Sequence, residues 1–195
     1  DPQTYNQRML NVIEKVLYED IAEVYNLKKI NIIILKKILW ILASSAPFQV
    51  NIEKLSQELH TTKITLYNFL EYLERSALIS SLALSGKGTR VMRKPAKLFL
   101  ENTNLIACIN GALKFSDTAG IERETFFINQ VKHIGHIAFV EKGDFLVNKK
   151  YLFEVGGKNK KFSQIKDITN SFLAVDGVEI GEKNKIPLWL FGFLY

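Results

Sequence analysis

The stretch YLFEVGGKNK, residues 151 to 160, decides how the C-terminal half is read. Tyr151 to Val155 are β-prone and mostly apolar, yet they carry Glu154, and Gly156-Gly157 separates that acid from Lys158 and Lys160. Glycine enters backbone conformations closed to other residues, so the pair either bulges the strand or ends it. On a regular strand, side chains at i and i+2 share a face about 6.6 Å apart, and those at i and i+4 about 13 Å apart. Lys158, four residues after Glu154, is thus on the same face as the acid, too far away unless the glycines shorten the path.

Working outward, HIAFVE (136–141), DFLVN (144–148) and YLFEV (151–155) read as three close strands. Lys142-Gly143 and Asn148-Lys149-Lys150 supply short turns between them, which predicts an antiparallel meander. KKFSQIKDI (160–168) reads as a helix and SFLAVD (171–176) as a strand, long enough apart for a parallel crossover. ERETFFINQVKHI (122–134) reads as a helix, KLFLE (97–101) as a strand that opens this domain, and IPLWLFGFLY (186–195) as a buried terminal strand.

The N-terminal half is helical. Apolar pairs from Met9/Leu10 to Ile21 and Val24 recur every three or four residues, one stripe of an amphipathic helix. A broad apolar helix follows over about 29–45 and stops before Ala46-Pro47, because proline excludes helical geometry from its predecessor. Asn51 suits an N-cap, Glu53 the first turn, and Val50 with Leu55 a hydrophobic staple. His60-Thr61-Thr62 makes a tight corner into a longer helix ending near Ser76, the pattern of a helix-turn-helix. Alternation around Ser85-Gly86-Lys87-Gly88 then predicts a hairpin that completes a winged helix. The expected fold class is α+β: an N-terminal helical segment over 1–28, a winged helix-turn-helix over 29–96, and a mixed-sheet α/β domain over 97–195.

With 195 residues and 47% hydrophobic content the chain can bury one large core or two modest ones. One cysteine, Cys108, argues against a disulfide scaffold, and the most apolar run is broken by Lys36 and Lys37, so no membrane span is expected. A cytoplasmic location follows. The chain opens on Asp1-Pro2 without an initiator methionine, which suggests a fragment of a longer protein. A net charge of +6 permits an acidic partner, DNA first. The excess is local: Ala77 to Leu100 holds Lys87, Arg90, Arg93, Lys94 and Lys97 with no acid, while Glu14, Glu19, Asp20 and Glu23 crowd one early segment.

Two constellations carry candidate chemistry. Phosphodiester hydrolysis needs a divalent cation held by carboxylates and a cation beside the attacking water. Asp144 and Glu154 are the candidate ligands for magnesium or manganese, Glu124 an outer carboxylate, and Lys158 the residue beside the water. In the helix-turn-helix, Lys63, Thr65, Asn68, Tyr72 and Arg75 lie on the polar side of the second helix, and Lys87, Arg90, Arg93 and Lys94 in or near the wing. Glu71 and Glu74 on that helix would repel phosphate, which favours docking led by the wing. Against each stands a plain alternative: a solvated helix face, a turn aspartate at Asp144, an exposed helix start at Glu124. His133 and His136 lack the spacing of a zinc site, and no phosphate loop occurs.

RETFFINQV (123–131), KGDFLVN (142–148) and YLFEVGGKNKKFSQIKDITNSFLAVD (151–176) resemble the C-terminal region that follows the ATPase module in a large prokaryotic family of AAA-superfamily ATPases. That resemblance implies a winged helix before a nuclease-like fold of the PD-(D/E)XK type, with Glu124, Asp144 and Glu154 at its acidic positions. The sequence departs from the family pattern where Gly156 stands two residues after Glu154 in place of lysine. The resemblance therefore implies a nuclease-like domain that keeps the fold without the cutting lysine, attached to an ATPase module that this chain lacks. Metal-dependent cleavage of DNA and a protein-binding adaptor for assembly of the ATPase as a homo-oligomer remain the alternatives.

Overall fold

The computed structural model describes residues 1–44, 48–86, 95–113 and 118–194. Asp1–Ser81 with Leu98–Thr118 form one compact unit, and Leu82–Lys97 with Ala119–Tyr195 form another. The chain thus passes between the units three times, where the sequence suggested divisions at 28/29 and 96/97.

In the first unit, Asp1 caps α1 (Pro2–Lys15) by accepting the Gln3 amide, and Pro2 occupies the first turn, where a missing N–H costs nothing. A π-helical segment, Val16–Ile21, leads into the short α2 (Ala22–Val24). Ile13, Leu17 and Ile21 form the buried stripe, whereas Val12 and Val24, part of the expected stripe, are exposed. α3 (Lys29–Ser44) buries a wide surface that includes Ile32, Leu35, Ile38, Leu39 and Leu42. Its lysines leave that surface: Lys36 pairs with Glu14 and lies 5.1 Å from the Trp40 ring centroid, and Lys37 is exposed. Among the described residues no helix is long and apolar enough to cross a membrane.

β1 (Phe48–Gln49) precedes α4 (Ile52–Glu58), whose cap Asn51 accepts the Lys54 amide at 3.0 Å. The corner contains His60 at φ 51°, and Thr62 then caps α5 (Lys63–Arg75) by accepting the Thr65 amide at 3.1 Å. β2 (Ile79–Leu82) and β3 (Lys97–Leu100) complete a sheet of order β1-β3-β2. Helix, strand, two helices and two strands with the last strand central is the order expected of a winged helix. The tip of the anticipated wing, residues 87–94, lies outside the described residues. KLFLE, expected to open the second domain, instead supplies the central strand here, fully buried from Lys97 to Leu100. α6 (Thr103–Leu113) follows and runs beside α1; Asn102 caps it by accepting the amides of Asn104 and Leu105.

The second unit is built on α7 (Ala119–Val131) and a sheet of five strands: β4 (Ile137–Phe139), β5 (Phe145–Val147), β6 (Tyr151–Gly156), β7 (Ser171–Val175) and β8 (Lys185–Pro187). They lie in sequence order, antiparallel from β4 to β6 and parallel from β6 to β8. The turns fall where expected, with Gly143 at φ 92° and Asn148 and Lys149 at 52° and 56°. Phe127 of α7 anchors one face, its ring 4.9 to 5.4 Å from those of Phe191, Phe153 and Phe145. On the other face Leu152, Leu173 and Val175 pack with Ile165 of the crossover.

Two expectations fail in this unit. The crossover holds only a 3-10 turn, Phe162–Gln164, in place of a helix over 160–168. Phe162, Ile165 and Ile168 recur every three residues, and all three pack in the same cluster, which suits three residues per turn better than 3.6. The tail forms a strand only over Lys185–Pro187 and then a 3-10 segment, Leu188–Phe193. Leu188 and Phe191 are buried while Trp189, Leu190 and Phe193 are exposed, so the tail is not a buried strand.

Phe127→Ala should cost about 3–5 kcal/mol of stability, because three neighbouring rings lose their contact with Phe127 and a cavity is left among them. Chemical denaturation followed by circular dichroism measures it.

Candidate functional site

The alternation of β6 puts Glu154 on the same face as Leu152, and the side chain is only 1% exposed. A carboxylate buried so fully needs a counter-charge. It comes from Lys160, whose Nζ lies 2.8 Å from Glu154 Oε1. Gly156 makes the approach possible, since a Cβ there would meet the Lys160 stem at 2.7 Å. The strand ends at Gly156, and the Lys160 amide donates to the Gly157 carbonyl at 2.9 Å, so a single turn brings residue 160 back over the strand. Lys158, the sequence's candidate, sits on the exposed outside of that turn and is not the lysine beside the acids. The glycines shorten the path, but for a different lysine.

Asp144 stands immediately before β5, where the register of Phe145 with Phe153 places it beside Glu154. Its Oδ2 accepts the Val155 amide at 2.8 Å, and its own amide donates to the Phe153 carbonyl at 2.9 Å. Asp144 therefore closes the ladder between β5 and β6 with its side chain. Glu124, on α7, accepts from Lys97 Nζ at 3.1 Å, and that ammonium lies 4.7 Å from the Phe139 ring centroid. Neither member of this pair was expected to be buried, yet the side chains are 8% and 12% exposed.

Burial pushes the Glu124 carboxyl up to about 7; the Lys97 charge opposes this, and the nearby Asp144 charge adds to it. Burial pulls the Lys160 ammonium down, but the hydrogen bond and charge of Glu154, then the charges of Asp144 and Glu124, hold it above its ordinary value. Lys160 is thus the cation on which all three predicted acids act. Glu154 Oε2 is buried with no hydrogen-bond partner. Among the described residues no three His, Cys, Asp or Glu side chains are arranged to hold a metal ion.

On α5 the predicted polar face is largely self-satisfied. Lys63 pairs with Glu53 at 2.9 Å and Arg75 with Glu71 at 3.8 Å. Thr65 shares a hydroxyl contact with Thr62, and Tyr72 stacks on Tyr25. Glu74 accepts from the amide and hydroxyl of Ser81. Asn68 is exposed, as is Ile64 at 75%. Lys87, Arg90, Arg93 and Lys94 lie outside the described residues. Lys97, counted with them as a basic residue, is committed to Glu124.

Residues 1–117 match the family model of a domain of unknown function, DUF8612. The chain belongs to that family. The match ends one residue before the first unit does, so it covers the helical unit and the segment between its two parts. No curated protein and no solved structure matches the chain.

Sequence reasoning missed Lys97, Lys160 and Arg123. Gly156-Gly157 held the signal for Lys160, because a strand that ends on two glycines can reverse within one turn. Nothing in KLFL signalled that its lysine would be buried.

Three measurements bear on this cluster. In Lys97→Met the Glu124 carboxyl loses its opposing charge, so its NMR titration midpoint should move above about 7. Because the folded carboxyl holds its proton more tightly than the unfolded one, this group makes stability fall as pH rises from 4.5 to about 7. Glu124→Gln should flatten that part of the profile. Lys160→Met should cost about 3 kcal/mol in denaturant unfolding by stranding Glu154, and adding Glu154→Leu should recover much of the loss.

Proposed function

We propose that this chain is the nucleic-acid-binding part of an AAA-superfamily ATPase, docking on DNA through its winged-helix half, with a second half that keeps a nuclease-like scaffold and does not cleave. The observation that supports the binding half is the strand order β1-β3-β2 around α3, α4 and α5, the order of a winged helix, with Lys87, Arg90, Arg93 and Lys94 falling in the sequence between β2 and β3. Because Lys63 and Arg75 already pair with acids on the protein, the mode is led by Lys87, Arg90, Arg93 and Lys94, with Asn68 presented from α5. Such contacts fix phosphates rather than bases, so binding is largely indifferent to sequence.

The second half supports the scaffold reading through its topology: a helix, an antiparallel meander and a crossover to a parallel strand. The partners that the three acids already have support the non-cleaving reading over magnesium or manganese binding. Hard cations take several carboxylate and carbonyl oxygens. Here Glu154 Oε1 holds an ammonium, Asp144 Oδ2 holds a backbone amide, and Glu124 is engaged by Lys97. Two lysines supply the positive charge that a divalent cation would bring. A cytosolic setting suits the buried, unpaired thiol of Cys108.

A protein-binding adaptor is the second reading. It is favoured by a pocket of about 420 Å³ in which Ile33, Trp40, Ile41 and Leu59 are rimmed by Lys36, Lys37 and Glu58.

Fluorescence anisotropy with a DNA duplex should give an affinity that falls steeply with salt and weakens when Lys87 and Arg90 are changed together to alanine. Plasmid incubated with magnesium or manganese should stay intact. Absence of duplex binding at low salt, with salt-insensitive association to a protein, would establish the adaptor instead.

A further inference from the structure

A second cluster of the same unit lies past the ends of the parallel strands. β6 and β7 end at Gly156 and Val175. The turn Gly157–Lys160 stands there. Its amides at Gly157, Lys158 and Asn159 take no acceptor from the described residues.

Three basic side chains gather on the turn. The Arg123 guanidinium lies against Gly157, where a Cβ would stand 3.3 Å from its central carbon. Arg123 Nε donates to Asp176 Oδ2 at 3.0 Å, and its two terminal nitrogens take no acceptor from the described residues. Lys158 is exposed, with its Cβ 3.6 Å from the place a Gly177 Cβ would take. Lys185 Nζ donates to the Lys158 carbonyl at 3.3 Å. A guanidinium steadied by its Nε presents a planar pair of donors that matches phosphate oxygens. Successive unpartnered amides next to cations form the other recurrent anion cradle.

We infer that this turn is a phosphate-contact site for a nucleic-acid backbone, built from Arg123, Lys158 and the amides of residues 157–159. The inference rests on the nucleic-acid function proposed above and assigns the second unit a share in it. Gly157 is the position on which it turns, since a side chain there would displace the guanidinium. Asp176 orients Arg123 without neutralising the pair of cations.

The test is duplex binding by the full chain over a salt series, for the parent and for Lys158→Ala, Arg123→Gln and the two together. Each substitution should lower the slope of log affinity against log salt by about one. Amide resonances of Gly157, Lys158 and Asn159 should shift when duplex is added. Lys158 is exposed, so Lys158→Ala keeps the fold even where Arg123→Gln does not. Unchanged affinity and slope in Lys158→Ala, while the parent binds duplex, would overturn this site and leave the winged-helix function standing. Parent protein that binds no duplex would overturn both. Inorganic phosphate that shifts the three amides as strongly as duplex phosphate would overturn the nucleic-acid assignment.

Discussion

The ion pair between Glu154 and Lys160 is the constraint around which the second unit is arranged. A carboxylate at the centre of a sheet is tolerated only with a partner, and Lys160 reaches it only because Gly156 has no side chain and the next four residues turn back. That reversal removes Lys160 from the expected crossover helix, so the chain returns to β7 through one 3-10 turn. Ile165, packed under the crossover, restores the apolar cover that the helix would have given.

The surrounding charges form a coupled set. Three carboxyl groups, Glu124, Asp144 and Glu154, face two ammonium groups, Lys97 and Lys160, so one negative charge is in excess. Glu124, with its midpoint near 7, is the group that absorbs the excess by taking up a proton. The cluster is then electrically balanced by its own side chains.

Much of this architecture is legible in the sequence where local chemistry and burial agree. Asn51 and Thr62 cap the helices that their spacing announces, and the glycine and asparagine turns set the meander. The failures share a cause: a tertiary contact decided the outcome. KLFL has the same local character in either sheet, and only its pairing between β1 and β2 assigns it. α6 carried its own cap signal in Asn102 and an apolar run behind it, but the glycine in that run obscures the periodicity. That Glu124, Asp144 and Glu154 lie near one cation follows from their strands and helix, whereas Lys160 reaches them through a turn of four residues. Lys63 and Arg75 were legible as polar-face residues; their engagement by Glu53 and Glu71 was not.

The interleaving of the two units limits how the gene can be divided. A break anywhere from residue 82 to 97 leaves the three-stranded sheet without its middle strand and parts α6 from α1. No single crossover between residues 81 and 119 can therefore leave both units intact. Exchange that keeps both units whole has to carry them together.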